Sequence, residues 1–263
     1  MVIKLGIIGG GNMGEAIIAN SLKSFKIAVS ERDEKRQRYL QKKYRLISQS
    51  ISTLSLQSDM VILAMKPQDM DGVLDEFKGY LAKDKLVISI AAGITTKYIE
   101  RRLGKSPRVI RTMPNMPALV AKGVTAICQG KYASIADVKS TQNIFNNLGQ
   151  TVVVKENLLD AITAVSGSGP AYVFLFMECL TKAARSLGLN EALAKELVIE
   201  TFNGSVHLLK EKKFDPTVLR AKVTSKGGTT QAAMDVFTQN KLEQIIQKAL
   251  RAAKQRAKEL SKG

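Results

Sequence analysis

The sequence predicts an α/β protein with two domains: a doubly wound parallel-sheet domain over residues 1–156 and an all-helical domain over residues 157–263. Two observations predict this division. Short apolar runs alternate with helical patterns in the first part, which is typical of a parallel sheet covered by helices on both faces. The second part has helical patterns and no convincing strand. A chain of 263 residues is long enough for two such domains.

The first domain contains seven apolar runs that we interpret as strands. They are residues 3–8, 26–30, 60–65, 86–91, 108–112, 125–128 and 151–154. Helices are predicted after the first two runs, over residues 13–22 and 34–44. The third run must leave the sheet at Lys66-Pro67, because proline has no N–H to donate to a strand ladder.

The second domain opens with an apolar-rich stretch, residues 158–187, in which Pro170 should kink a helix or begin a new one. Caps, a proline and a glycine break predict four later helix starts: Asn190, Asp215-Pro216, Thr229 or Thr230, and Asn240. The last helix is basic and is expected to reach Leu260. A helical domain this small often buries part of its apolar surface against a second copy of the chain.

Composition excludes several classes of protein. A hydrophobic share of 45% excludes global disorder, and two cysteines suggest neither a disulfide framework nor a cysteine metal site. The chain opens directly on a predicted strand, so we expect no signal peptide, and its apolar runs are too short to span a bilayer. We therefore expect a cytoplasmic protein with reduced thiols and no membrane partner.

The net charge of +17 has two interpretations. Clustered Lys and Arg side chains neutralise nucleic-acid phosphates, but they also lie on solvated helix faces and attract small anionic ligands. Aromatic residues are only 5% of the chain and tryptophan is absent, so platforms for stacking bases are scarce. A nucleic-acid partner is not predicted.

A glycine motif, Gly9-x-Gly11-x-x-Gly14, lies directly after the first predicted strand and before the first predicted helix. Gly9 permits the tight turn, Gly11 lets a pyrophosphate approach the backbone, and Gly14 allows close helix packing. Asn12 and Met13 lie between these glycines and belong to the same predicted site. The strand before the motif and the helix after it favour a dinucleotide-binding Rossmann domain over an ordinary glycine turn.

The end of the second strand, Ser30-Glu31-Arg32, is predicted to contact the adenosine ribose of the cofactor. An acid there suits the 2′-hydroxyl of NAD, whereas an arginine beside a hydroxyl suits the 2′-phosphate of NADP. In a third interpretation, the side chains of Glu31 and Arg32 are simply solvated. The residues alone leave the choice between NADPH and NADH open.

Two further strand ends are predicted to line the cofactor site, because ligands of open parallel sheets bind beyond the carboxyl ends of the strands. Small side chains there admit the nicotinamide half of the cofactor, and a lysine can reach phosphate or ribose oxygens. The residues are Ala64, Met65, Lys66, Pro67, Ala91 and Ala92.

The loop Ser225-Lys226-Gly227-Gly228-Thr229-Thr230 interrupts the helical half of the chain. Each glycine costs a helix about 1 kcal/mol relative to alanine, so the pair is not expected inside one. Adjacent glycines let successive N–H groups point at one spot, and the start of a helix follows directly. Such a loop suits a carboxylate and predicts a small-molecule anion site.

Three segments together resemble pyrroline-5-carboxylate reductase: residues 111–119 (RTMPNMPAL), residues 164–172 (AVSGSGPAY) and the loop at residues 225–230. The glycine motif and residues 65–68 (MKPQ) fit the same family, so the resemblance covers essentially the whole chain in order and spacing. One departure lies in the loop, where Lys226 replaces the usual proline of the family.

The resemblance implies a Rossmann domain followed by a helical dimerisation domain like the C-terminal domain of 6-phosphogluconate dehydrogenase. It implies hydride transfer from NADPH or NADH to the imine carbon of 1-pyrroline-5-carboxylate, giving L-proline in the last step of proline biosynthesis. Backbone N–H groups of Gly227, Gly228, Thr229 and Thr230, with help from Ser225, would hold the substrate carboxylate. Thr230 would hydrogen-bond the ring nitrogen and assist its protonation, and Asn115 would line the cleft. The implied assembly is a homodimer and, above it, a decamer built of dimers.

Two other functions fit a Rossmann domain joined to helices. One is a reductase of another imine or a hydroxyacid dehydrogenase. A hydroxyacid dehydrogenase has a catalytic lysine on the first long helix of its second domain. At that place this chain has residues 166–170 (SGSGP), and Lys182 follows about three turns later. The other is a non-catalytic dinucleotide sensor, which has no need of a carboxylate loop. The single histidine, His207, is expected to be a surface or packing residue.

Overall fold

The computed structural model describes residues 2–81, 85–104 and 106–260. The chain folds into two compact units. One contains the described residues from 2 to 170 together with 252–260, and the other contains Ala171–Arg251. The predicted domain boundary between residues 156 and 157 stays a prediction.

The first unit alternates strands and helices along most of its length. In chain order its elements are β1 (Lys4–Ile8), α1 (Asn12–Ser21), β2 (Lys26–Ser30), α2 (Glu34–Tyr44), β3 (Ile47–Ser48), α3 (Ile51–Gln57), β4 (Met60–Leu63), α4 (Met70–Lys78), β5 (Leu86–Ser89), α5 (Thr96–Leu103), β6 (Arg108–Met113), β7 (Gly123–Gln129), α6 (Ile135–Phe145), β8 (Gly149–Val153) and α7 (Leu159–Ile162).

Within the described residues the strands form one sheet of eight, in the order β3-β2-β1-β4-β5-β6-β7-β8. The central strands β4 and β5 are buried along their whole length, as continuous apolar runs in a parallel sheet require. Two apolar clusters pack on the sheet. One includes Ile7, Ile17 and Phe145, and the other includes Leu63 and Phe77. The predicted doubly wound domain is confirmed.

One pairing differs from the parallel sheet that we predicted: β6 and β7 are antiparallel, whereas β7 and β8 are parallel again. The connection between β6 and β7, residues 114–122, contains only a short 3₁₀ turn at Met116–Val120. A parallel pairing needs a crossover of a dozen or more residues, which this segment does not provide. The strand β3 was not predicted, since it has two residues and pairs only with β2.

The second unit is helical throughout. Its helices are α8 (Gly169–Ser186), α9 (Glu191–Lys212), α10 (Pro216–Val223), α11 (Thr229–Gln239) and α12 (Leu242–Leu260), of which α8 starts and α12 ends in the first unit. Two predicted caps are confirmed. The side chain of Asn190 accepts a hydrogen bond from the N–H of Leu193, and that of Asp215 accepts one from Thr217.

The predicted opening of the last helix at Asn240 is wrong. Asn240 ends α11, and its Nδ2 donates to the carbonyl of Val236 at 2.9 Å, so α12 begins at Leu242 instead. Asparagine side chains bond readily to nearby backbone groups at either end of a helix, which makes the two roles hard to separate from sequence.

The apolar stretch predicted at residues 158–187 is helical from Glu156 to Ser186. It comprises α7, a π-helical turn at Thr163–Gly167, and α8, in which Pro170 is the second residue. The helix has 31 residues, and its most apolar window has a mean hydropathy of 1.3 and is only 11% buried. The expectation that the apolar runs are too short to span a bilayer is therefore wrong for this helix, which meets the length and composition of a membrane span. A single such helix is weak evidence for a membrane. Its exposed apolar side chains need a cover that one chain does not supply.

Candidate active site

The glycine motif forms the turn between β1 and α1. Gly9 has φ +102°, which favours glycine, and a Cβ there would lie 2.7 Å from the backbone of Ala64. A Cβ at Gly14 would overlap the carbonyl oxygen of Gly9, so the helix approaches the turn as closely as only glycine allows. Gly11 faces open space and is the N-cap of α1, with no side-chain cap bond. The turn therefore exposes backbone N–H groups to a ligand.

A cavity of about 690 Å³ opens beside this turn. It brings together most of the predicted cofactor residues: Gly9, Gly11, Ser30, Glu31, Arg32, Ala64, Met65 and Lys66. It does not include Asn12, Met13, Gly14, Pro67, Ala91 or Ala92 in its lining. Its volume, glycine wall and position beyond the carboxyl ends of β1, β2 and β4 fit a dinucleotide.

The far wall of the cavity was not predicted from the sequence. It comes from the residues after β3 and from α4 and the turn before it: Ser50, Ile51, Gln68, Asp69, Gly72, Val73 and Glu76. Gln68 belongs to the segment at residues 65–68 (MKPQ), and the others form no motif of their own. Only the order of the sheet places those others opposite β2, so no local signal was available for them.

The carboxylate of Glu31 lies against the glycine turn. Its Oε2 accepts a hydrogen bond from the N–H of Gly10 at 2.6 Å, and its Oε1 accepts one from the N–H of Asp33 at 2.9 Å. Arg32 instead reaches across the cavity lining, donating to both carboxylate oxygens of Asp69 at 2.8 and 3.4 Å. Glu31 is therefore held by the backbone, whereas the Arg32 side chain remains 80% exposed despite its pair with Asp69.

Arg36 on α2 holds the carbonyl of the same residue. Its Nε donates to the carbonyl of Gly10 at 2.6 Å, and its terminal nitrogen pairs with Glu15 on α1. The N–H of Gly10 is therefore bound by a carboxylate and its carbonyl by a guanidinium group. This arrangement fixes the turn before any ligand arrives.

Glu15 is the centre of a charged cluster that joins α1 to α2. Burial raises the pKa of its carboxyl, but hydrogen bonds from Lys43, Tyr44, Arg36 and Tyr39 outweigh that effect and bring the pKa to about 2. Its contacts include Lys43 Nζ at 2.8 Å and Tyr44 Oη at 2.7 Å. The same carboxylate raises the pKa of Lys43.

The segment after β5 lies near the predicted nicotinamide end. Ala91 is buried, and its N–H donates to the hydroxyl of Ser89. A Cβ at Gly93 would lie 2.8 Å from the carbonyl carbon of Leu260, so the last described turn of α12 rests directly on this loop. Residues that are far apart in the sequence therefore shape this edge of the first unit.

Asn115 joins three segments after β6. Its Nδ2 donates to the carbonyl of Ser166 at 3.0 Å, and its Oδ1 accepts from the N–H of Val124 at 2.9 Å. The side chain thereby connects the end of β6 to the π-helical turn and to β7. Its predicted place in the substrate cleft stays a prediction, and its amide is already used to hold the backbone.

The Gly-Gly-Thr-Thr loop leads directly into α11 in the second unit. Gly227 has φ +73°, and the N–H of Gly228 donates to the carbonyl of Ser225 at 3.0 Å. Gly228 is the N-cap of α11 in extended conformation and supplies no side-chain cap. The first N–H groups of this 11-residue helix therefore lack a cap from the protein, as an anion site requires.

Other chemistry is not supported by the described residues. Within them no group of His, Cys, Asp and Glu side chains is arranged to hold a metal ion. Burial and the nearby Glu156 raise the pKa of the Cys128 thiol to about 12, so it is not a nucleophile. His207 is exposed on α9, as expected for a surface residue.

Comparisons with known proteins cover both units. A family described as pyrroline-5-carboxylate reductase dimerisation matches residues 156–260, and one described as NADP oxidoreductase, coenzyme F420-dependent, matches residues 4–93. The pyrroline-5-carboxylate reductase of Synechocystis sp. is 41% identical over 268 residues, covering 100% of both chains. This chain belongs to the pyrroline-5-carboxylate reductase family.

Solved structures agree with that assignment. A pyrroline-5-carboxylate reductase from Coxiella burnetii superposes with a TM-score of 0.91 at 36% identity and covers 100% of both chains. The Plasmodium falciparum pyrroline carboxylate reductase, solved with NADP bound, gives 0.90 at 33% identity over 98% of each chain. The resemblance, the Rossmann-like domain and the helical dimerisation domain predicted from the sequence are confirmed.

The dimerisation match bears on the exposed apolar helices. Large apolar side chains on α8 that lie open in the single chain include Val173, Phe174, Leu175, Phe176 and Leu180. They lie within the segment that the dimerisation family covers. The presence of a dimerisation domain supports burial of this face against another chain.

Proposed function

We propose that the protein reduces the C=N bond of 1-pyrroline-5-carboxylate to give L-proline, the last step of proline biosynthesis. The main support is the full-length match to relatives that bear this name. NADPH or NADH, when bound, supplies the hydride for the imine carbon, and the ring nitrogen takes up a proton to become the amine. The cavity beside the glycine turn fits such a cofactor.

In this proposal the cofactor binds at the residues predicted for it. The turn Gly9–Gly14, with Asn12 and Met13, receives the pyrophosphate at the N-terminus of α1. Ser30, Glu31 and Arg32 lie at the ribose. The strand ends at Ala64, Met65, Lys66, Pro67, Ala91 and Ala92 lie towards the nicotinamide.

The substrate carboxylate binds at the N-terminus of α11. The uncapped N–H groups after Gly228 and the positive φ of Gly227 support this role, and the exposed hydroxyl of Ser225 lies beside them. Thr230, the second residue of α11, is half-buried, and its hydroxyl donates to or accepts from the ring nitrogen. Asn115 acts as a positioning residue, since both of its amide atoms hold backbone groups.

The chain does not need a strong general base. A protonated imine is already electrophilic, so its reduction depends on orientation and on the exclusion of water. A hydroxyacid dehydrogenase, by contrast, needs a base to remove the hydroxyl proton. Lys182 is a poor candidate for that base, because its exposed Nζ is paired with Glu178 at 2.5 Å. The hydroxyacid alternative is therefore disfavoured.

The active assembly is a homodimer, with a decamer built of dimers above it, in the cytoplasm. The exposed apolar faces of α8 and the later helices support the dimer. Residues 157–263 supply most of the contact, in agreement with the family match that begins at residue 156. We propose neither a membrane nor a nucleic-acid partner.

The test is oxidation of NADH or NADPH followed at 340 nm with 1-pyrroline-5-carboxylate added, together with detection of proline. We expect cofactor oxidation that depends on the substrate and proline in equal amount. Oxidation with a 2-ketoacid but not with the imine would replace this proposal with the hydroxyacid alternative. Tight cofactor binding without any turnover would favour a dinucleotide sensor.

A further inference from the structure

The ribose end of the cofactor cavity contains a fixed acid. Glu31 is half-buried, and each of its carboxylate oxygens already accepts one backbone N–H, from Gly10 and from Asp33. These two bonds hold the carboxylate in the lining of the cavity. A carboxylate oxygen has a second lone pair, so this group is still able to accept a hydrogen bond from a ligand hydroxyl.

The neighbouring guanidinium groups are already engaged. Arg32 forms a two-pronged pair with Asp69, at 2.8 and 3.4 Å. Arg36 donates to the carbonyl of Gly10 and pairs with Glu15. A 2′-phosphate would therefore find a fixed carboxylate, and it would have to take Arg32 away from Asp69 to gain a partner.

The two side chains differ in how firmly they are held. The Arg32 side chain is 80% exposed, so its pair with Asp69 is screened by solvent and is by itself weak. Glu31 is held by two backbone groups of the glycine turn and cannot leave without disturbing that turn. The acid, and not the arginine, is therefore the fixed element of the ribose end.

We infer that this protein binds NADH in preference to NADPH, with Glu31 accepting a hydrogen bond from the 2′-hydroxyl and repelling a 2′-phosphate. This inference rests on the proposed function, which assigns the cavity to a reduced nicotinamide dinucleotide. The NADP bound to the Plasmodium falciparum relative is a property of that protein, which shares 33% of its residues with this chain.

The test is calorimetric titration of the full-length protein with NADH and with NADPH, without substrate. We expect the Kd for NADH to be lower than the Kd for NADPH by on the order of tenfold. Two like charges a few ångströms apart at a protein surface repel each other with an energy that corresponds to a change of about this size in affinity. Glu31→Gln keeps an oxygen for the N–H of Gly10 but removes the charge. It should tighten NADPH binding on the order of tenfold and leave NADH binding within about threefold.

The matched control is Glu34→Gln. It makes the same chemical change on the first turn of α2, where Glu34 is exposed and pairs with Arg38 outside the cavity. It should leave the ratio of the two Kd values unchanged. Asp69→Asn releases Arg32 and should improve NADPH binding. If Glu31→Gln does not fold, the ratio of the two Kd values of the unmodified protein still tests the preference.

Tighter binding of NADPH than of NADH by the unmodified protein would overturn the inference, and so would an unchanged ratio in a folded Glu31→Gln variant. The proposed function fails differently. If the protein binds NADH more tightly than NADPH but does not turn over 1-pyrroline-5-carboxylate, the proposed function is contradicted and the preference for NADH is not.

Discussion

Glu156 accepts two hydrogen bonds from Thr96, one from its N–H at 2.8 Å and one from its hydroxyl at 2.7 Å. The same carboxylate pairs with Arg111 at 3.2 Å, and the side chain of Arg111 is only 4% exposed. Three segments that are distant in sequence, β6, the start of α5 and the turn before α7, are thus tied together by one acid.

Glu156→Ala should therefore destabilise the protein more than an ordinary surface substitution. It leaves the buried guanidinium of Arg111 with a longer pair, to Asp160 at 4.0 Å. We expect a loss of about 2–4 kcal/mol in the free energy of unfolding, measured by denaturant titration. The control Glu34→Ala, which breaks an exposed pair with Arg38 on α2, should cost no more than about 1 kcal/mol. Equal losses in both variants would contradict the structural role of Glu156.

Thr230→Ala should lower kcat/KM for 1-pyrroline-5-carboxylate about tenfold to hundredfold, because it removes one hydrogen bond to the ring nitrogen. Thr230→Ser keeps the hydroxyl and should retain most of the activity. Circular dichroism and the melting temperature check that both variants fold. A folded Thr230→Ala variant with unchanged kcat/KM would refute the role of this hydroxyl.

Gly14→Ala should weaken binding of both cofactors, because the added methyl group overlaps the carbonyl oxygen of Gly9 and forces α1 away from the turn. We expect a stability loss of about 1–3 kcal/mol with it, from overpacking. Gly72→Ala, inside α4 where an added Cβ meets nothing within 4 Å, should instead stabilise the protein by about 0.4–1 kcal/mol. Thermal unfolding of the two variants, side by side, separates steric overlap from a general effect of replacing glycine.

The lowered pKa of Glu15 predicts that the folded protein loses stability in acid. The pKa of its carboxyl falls from an ordinary 4.5 to about 2 on folding, so its contribution is fully present above pH 4.5 and disappears as the pH falls towards 2. We expect about 2 kcal/mol from this group after allowing for solvent around Lys43, whose side chain is 48% exposed. Glu15→Gln should be less stable at neutral pH and should lose less stability between pH 4.5 and 2. Parallel stability–pH curves for both proteins would contradict this account.

The dimer is tested by a charge on the exposed face of α8. Phe174→Glu places a carboxylate where the side chain is 55% exposed in the single chain, and it should dissociate the assembly and abolish activity. Leu56→Glu, on α3 in the first unit, also replaces an exposed apolar side chain and should leave the assembly intact. Sedimentation velocity at micromolar concentration measures both. An active monomer of the unmodified chain would exclude the dimer.

Much of the first unit was predictable because its signals are local. The helix predicted over residues 34–44 matches α2 (Glu34–Tyr44), which Asp33 caps by accepting the N–H of Arg36. The glycine motif also has the geometry that its sequence predicts, with the left-handed turn at Gly9. Strands β4 and β5 were found from their apolar runs, although both end two residues earlier than predicted.

What the sequence did not reveal depends on contacts between distant segments. Nothing in residues 123–129 marks β7 as antiparallel, since the direction follows from the short connection before it. The far wall of the cavity at Asp69 and Glu76 is defined by the sheet order. Arg32 pairs with Asp69, which lies 37 positions away in the sequence. The sequence therefore did not show that this guanidinium group already contacts a carboxylate.

The contact between Gly93 and Leu260 has a practical consequence for work with fragments. The unit that contains the glycine turn is assembled from two separate stretches of chain, residues 2–170 and 252–260. A fragment that stops at residue 170 would leave the loop after β5 uncovered at the point where Leu260 lies in the intact protein. Dinucleotide binding measured on such a fragment would therefore report on an incomplete site, whereas joining residues 252–260 to it through a flexible linker should restore the missing cover.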